Sequence, residues 1–193
     1  MSALAESPVQ HTTMVVFGDH PMNESLWSAL VEELHRGQAK EAAAVPVLSG
    51  EFDVLRGEDV VPGLVVETSL SVTVIGDCSL KPAPRKFVEG ALGWVREERG
   101  EFRPLVHLDC ERIVAMLGPV ALGMNQRRRD TVMAEAMARV IVHEWIHIAT
   151  KSAGHAKKGV MQSEFELSDL LAYDQQINPR QEASHCKKKQ AGF

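Results

Sequence analysis

The sequence predicts an α+β domain, a twisted mixed sheet packed on helices with one long helix carrying the chemistry. Three observations predict it. A central stretch, residues 45–110, is rich in β-branched residues and cut up by Gly and Pro, as short strands joined by turns require. Helical periodicity lies on either side of it without the regular strand–helix alternation of a doubly wound fold. The longest periodic run, beginning at Asn125 or Asp130, reaches to about Ala153.

Taken in order, residues 1–13 are polar or small and read as a loose N-terminus, and residues 14–17 (MVVF) form a first strand. Asn23 is the N-cap expected for a helix in which Leu26, Leu30 and Leu34 recur on one face, with Gly37 as its stop. The clearest strands of the middle region are VVETSLSVTVIGD and FRPLVHLD. The second of these closes a hairpin whose charged turn falls at residues 98–100. A short helix is expected over 111–117, before Gly118 and Pro119. The long helix presents Met133, Met137, Val140, Ile141 and Ile148 as an apolar face, Trp145 and Ile146 pack it on the sheet, and Gly154 serves as a left-handed cap. A last helix is expected over 163–176. The domain therefore runs over 14–177, with 178–193 as a polar tail that includes Lys187, Lys188 and Lys189.

A chain of 193 residues with 45% apolar and 24% charged residues suffices for one buried core. The net charge of −5 offers no basic surface for tracking phosphates, so nucleic acid is not an expected partner. No apolar run reaches the roughly 20 residues of a membrane span, and no signal peptide is visible at the N-terminus. A cytoplasmic location is the default, and export becomes the expectation if the start is incomplete. Cys78 and Cys110 each follow an aspartate at the end of an apolar run. They are either bridged between neighbouring strand ends or two reduced, half-buried thiols.

Residues 143–147 read His-Glu-Trp-Ile-His inside the long helix. At about 100° per residue, His143 and His147 lie about 40° apart around the axis and one turn apart along it, so both imidazoles reach one cation. Neutral imidazoles leave Zn²⁺ its full charge, which lowers the pKa of a bound water towards about 7. Glu144, about 60° from His147 on the same side, is placed as a general base instead of a ligand. His155, directly after Gly154, is the expected third ligand, and Glu166 on the next helix is its rival. One zinc per chain is expected. The bland alternative is that His143 and His147 are core histidines capped by backbone carbonyls.

The segment ARVIVHEWIHIATKSAGHAKKGVM resembles the active-site stretch of matrixin-like, or metzincin-like, zincins. It is most similar to small bacterial proteins with the pattern H-E-x-x-H-x-x-T, then His, then Gly-Val. His143, Glu144, His147, Thr150, His155, Gly159 and Val160 match that pattern. The upstream GALGWVREERGEFRPLVHLDCERI resembles the hairpin and helix that precede the zinc helix in the same group, so the likeness spans residues 72–171. It implies a zincin-like fold, bound zinc and a metalloendopeptidase acting on a peptide or protein substrate. Thr150 stands where metzincins carry glycine, and His155 falls two residues later than their third ligand. Met161 is either the methionine that lies under the zinc in that family or an ordinary core or loop residue. Tyr173 is either an oxyanion donor or packing. Gly93, Trp94 and Val95 form either an edge strand that pairs with substrate or a plain hairpin around a core tryptophan. Other readings of the H-E-x-x-H site are a different metal-dependent hydrolase and a non-catalytic, zinc-stabilised binding domain. Substrate specificity and oligomeric state are not written in the sequence.

Overall fold

Five strands form one mixed sheet in the order β2-β1-β3-β5-β4. These are β1 (His11–Gly18), β2 (Glu51–Arg56), β3 (Thr68–Ile75), β4 (Gly93–Glu98) and β5 (Glu101–Asp109). The computed structural model describes residues 11–63, 68–84, 89–156, 160–161 and 165–171. β1 pairs in parallel with β2 and β3, β3 pairs in parallel with β5, and β4 runs antiparallel to β5 at the edge. The expected α+β class, a mixed sheet packed on helices, is what the chain adopts. β1 is longer than the four apolar residues that announced it and takes in His11, Thr12 and Thr13 of the expected loose terminus.

Helix α1 (Glu24–Glu41) starts where the sequence places it, with the Asn23 side chain accepting from the Leu26 N–H at 2.8 Å. It does not stop at Gly37. The helix formers that follow, Gln38 to Glu41, carry it one more turn, and Gly37 instead faces α3, where an added Cβ would lie 3.0 Å from Val142 Cγ2. The β4–β5 hairpin turns on Arg99 and Gly100, both at positive φ (57° and 82°), which gives the two-residue turn matched to strand twist. Helix α2 (Cys110–Leu117) follows β5 directly, capped by Asp109. Cys78 and Cys110 form a disulfide with a Cα–Cα distance of 4.9 Å, which decides that alternative and ties the segment after β3 to the first residue of α2.

Helix α3 (Gln126–Thr150) is the central element, its N-terminus capped by the Asn125 side chain. Of the two starts the sequence allows, Asn125 is used, and Asp130 lies buried inside the first turns. From Val132 to Ile146 the helix is almost wholly buried, packed between α1 and strands β5 and β4. Trp145 meets Phe52 of β2 at 4.9 Å between ring centroids. α3 ends at Thr150, three residues before the expected end, and its left-handed cap is Lys151 (φ 50°), not Gly154. Of the helix expected over 163–176, a short α4 (Leu167–Leu170) is present, and residues 163–164 and 172–176 lie outside the described residues. So do Gly159, Tyr173 and the tail lysines. Among the described residues no helix is long and apolar enough to cross a membrane.

Candidate metal centre

The last two turns of α3 bring His143, Glu144 and His147 to one side of the helix, each nearly buried at 4%, 7% and 5% exposure. The chain then reverses. With Lys151 in the left-handed region, the Lys151 N–H donates to the Ile148 and His147 carbonyls, and the Ser152 N–H also donates to His147 O at 3.2 Å. This turn aims the Ser152 carbonyl at the His147 ring, whose Nδ1 lies 2.6 Å from it. Three residues later His155 comes within 5.4 Å of the His143 ring and 4.9 Å of the His147 ring, centroid to centroid.

The segment closes on itself next. The Ala156 N–H donates to Met161 O at 2.6 Å, and Val160, just before Met161, sets its carbonyl 2.6 Å from His143 Nδ1. A carbonyl only accepts, so both histidines carry their proton on Nδ1 and turn an unprotonated Nε2 inward. The two Nε2 atoms face each other at 3.0 Å. His155 contributes a third nitrogen, and one ligand atom from each of the three histidines lies within 4.8 Å of the others. Among the described residues this is the one group of three or more such side chains that could hold a metal ion. Glu166, the rival third ligand, is not part of it. Its side chain caps α4 by accepting from the backbone of Asp169, whose carboxylate takes the Glu166 N–H at 2.8 Å.

Electrostatics follow from burial. Desolvation, helped by the neighbouring His147 and His155 and opposed by the Val160 carbonyl, pushes the His143 imidazole down to about 4. The ring is therefore a neutral donor at ordinary pH, the form that binds a cation. Glu144 is raised to about 7 by desolvation, against a hydrogen bond from the Val95 backbone. Its Oε1 sits 3.8 Å from His143 Nε2, beside the histidine cluster without entering it.

β4 is the edge strand on this side, so Gly93, Trp94 and Val95 are an edge, and Trp94 is no core residue. It is 38% exposed and stacks on His107 of β5 at 5.1 Å. Met161 packs at the margin of the core, and Thr150 Oγ donates to Ile146 O at 2.7 Å within the helix. Sequence reasoning did not find the two carbonyls that orient the rings, nor Phe165 against His143 (5.4 Å) and Phe102 against His147 (6.3 Å). For the carbonyls no signal exists, because a backbone oxygen carries no residue identity. The Gly-Val match at residues 159–160 marked the right place for one of them without giving its role.

No protein-family model matches this sequence, and no curated protein does either. Among solved structures the chain is similar to archaemetzincin from Methanopyrus kandleri, with a TM-score of 0.46 and 15% identity over 86% of this chain and 88% of that one.

Proposed function

We propose that this chain is a zinc-dependent metallopeptidase in which His143, His147 and His155 hold the metal and Glu144 is the general base. One observation carries the reading: two nearly buried Nε2 atoms, left without protons by the carbonyls at their Nδ1 atoms, face each other at 3.0 Å. Two such lone pairs repel, and a cation between them relieves the repulsion. A proton is a poor candidate for the role, since burial holds the His143 ring neutral. A metal fits, because two nitrogens at the usual Zn–N distance of about 2.0–2.1 Å and a tetrahedral angle stand about 3.3 Å apart. For a core pair of histidines the same arrangement would be a standing liability.

Three neutral imidazoles are the ligand set of a catalytic zinc with one open position, whereas a structural site takes four protein ligands. Zinc, when bound, supplies Lewis acidity to the scissile carbonyl and to the attacking water. Glu144 does the proton work. Its carboxylate, raised to about 7 by burial, is able both to take a proton from water near neutrality and to hand it to the leaving amine. The free edge of β4 runs beside it, a line along which an extended peptide can add as a further strand.

Metal analysis of the purified protein, paired with cleavage of a broad peptide library, tests the reading. About one zinc per chain and cleavage that a chelator abolishes are expected. His155→Ala should lose zinc and Glu166→Ala should keep it. The reverse pattern would overturn the ligand assignment, and full zinc occupancy without any cleavage would overturn the peptidase assignment.

A further inference from the structure

We propose that Gly93 and the backbone N–H of Val95 position the Glu144 carboxylate, with Gly93 chosen for the closeness it gives between the edge strand and α3. The proposal rests on the metallopeptidase reading of Glu144. Neither residue bears a functional group, and neither is a ligand.

The geometry begins with the ladder. The Asp109 N–H donates to Leu92 O at 2.8 Å, which makes Gly93 and Leu108 a pair without mutual hydrogen bonds. Alternation makes Val95 and Val106 another such pair, so the Val95 N–H points off the free edge of the sheet and is not consumed by β5. Glu144 lies against this strand, its Cγ 3.4 Å from where a Cβ on Gly93 would sit, and the Val95 N–H acts on its carboxylate against the desolvation that raises it. The register shift that follows, between Val95 and Glu97, bends the strand just beyond this residue.

Gly93 is what lets the strand come so near. A Cβ added there would lie 2.5 Å from Val140 Cγ1, 3.1 Å from His107 O and 3.4 Å from Glu144 Cγ. None of these is the loose end of a flexible side chain. Val140 is buried at 1% exposure, and a β-branched residue in a helix has essentially one rotamer. His107 O belongs to the paired strand β5. Relieving the 2.5 Å contact to an ordinary 3.4 Å requires about 0.9 Å of movement, and β4, held from one side only, is the element free to give it. The Val95 N–H then retreats from Glu144 by a similar amount, and the carboxylate loses the contact that fixes its rotation beside the histidines. A displacement of about 1 Å in a catalytic constellation can cost about a hundredfold in rate.

The test compares zinc-loaded wild type, Gly93→Ala and Gly93→Ala/Val140→Ala, all as full chains, on a peptide cut by the wild type. In Gly93→Ala, kcat is expected to fall about 10- to 100-fold with zinc content little changed, since the three ligands lie outside β4 and are spared. Removing Val140 Cγ1 in the double variant should restore most of kcat, which general damage to the fold would not allow. If Gly93→Ala does not fold, Val95→Pro removes the same N–H from an edge position where the ladder does not use it, and the same drop in kcat is expected. An unchanged kcat in Gly93→Ala or, failing that, in Val95→Pro overturns the proposal, as does a double variant no better than the single. A second readout needs no turnover: the Val95 amide resonance should move in Glu144→Gln and in Gly93→Ala, and return in the double variant. If the wild type cleaves nothing while the Val95 amide behaves this way, the peptidase reading fails and the positioning contact stands. An amide indifferent to Glu144→Gln sinks the contact itself.

Discussion

Replacing both bridged cysteines, as Cys78→Ala/Cys110→Ala, should lower the melting temperature by several degrees. The bridge closes a sequence separation of 32 residues, which in the chain-entropy account removes about 12 cal/mol/K from the unfolded state, or about 3.7 kcal/mol at 25 °C. For a chain of 193 residues each kcal/mol corresponds to roughly 2–4 °C, so a loss of about 7–15 °C is expected. Both sulfurs are buried, at 6% and 0% residue exposure, and the lost packing adds to the entropic effect. Calorimetry of the oxidised wild type and the double variant measures the shift. Thiol titration of the denatured, unreduced wild type should find one reactive group of the three cysteines. Three reactive thiols, or a shift of less than about 2 °C, would refute the bridge as a stabilising link.

Three further outcomes are expected. Glu144→Gln should keep zinc and fold while hydrolysis drops at least about a hundredfold, because the variant loses a proton acceptor and no ligand; zinc loss would instead make the carboxylate part of the metal's support. Glu135 is raised above its ordinary value of 4.5 by burial first and then by the charge of Glu33, against Arg128, Arg36 and Arg139. Its favourable contribution is complete below the unfolded value and is lost as pH rises through the folded one. Glu135→Gln should therefore gain stability relative to wild type as pH rises above the ordinary carboxylate value of 4.5, and a difference in melting temperature that ignores pH would exclude this. Lys151 holds a left-handed conformation at φ 50°, so Lys151→Gly should preserve zinc affinity, while Lys151→Val, β-branched and ill-suited to that region, should weaken it about 10- to 100-fold by moving the Ser152 carbonyl off His147. Equal affinities in the two variants would show that the turn does not support the ring.

What the sequence made legible was local. His143, Glu144 and His147 share a helix, and helical spacing alone brings them to one side of it. Asn23, Asn125 and the Arg99–Gly100 turn were readable because caps and tight turns depend on a residue's own chemistry. The places where reading went astray involve glycines and long-range neighbours. Gly37 looked like a helix stop, and only the strong helix formers after it signalled otherwise; Gly154 looked like a cap, while a lysine three residues earlier takes that conformation. The parallel order in which β1 lies between β2 and β3 is set by pairing across tens of residues, which periodicity does not encode. His155 comes near the two helix histidines, as its place just past the helix end suggests, but the carbonyls of Ser152 and Val160 that give those histidines their tautomer come from folded proximity alone.

Gly37 and Gly93 together explain how α3 holds its rotation. Val140 and Val142 are two residues apart, about 200° around the helix axis and about 3 Å along it, and so face nearly opposite directions just before His143. Gly93 of β4 lies against Val140, and Gly37 of α1 lies against Val142. A Cβ at Gly93 would lie 2.5 Å from Val140 Cγ1, too close to stand, and one at Gly37 would lie 3.0 Å from Val142 Cγ2, a tight approach that a few tenths of an ångström relieves, so the helix is held from both flanks and more firmly on the Gly93 side. Turning α3 by even a fraction of the 100° between residues would drive one valine into a backbone and open a gap at the other. The direction in which His143 and Glu144 leave the helix is fixed by that grip. Interiors packed this tightly do not deform gradually. A site built from two histidines on one helix and a third on the loop beyond thus takes its alignment from two residues that have no side chains.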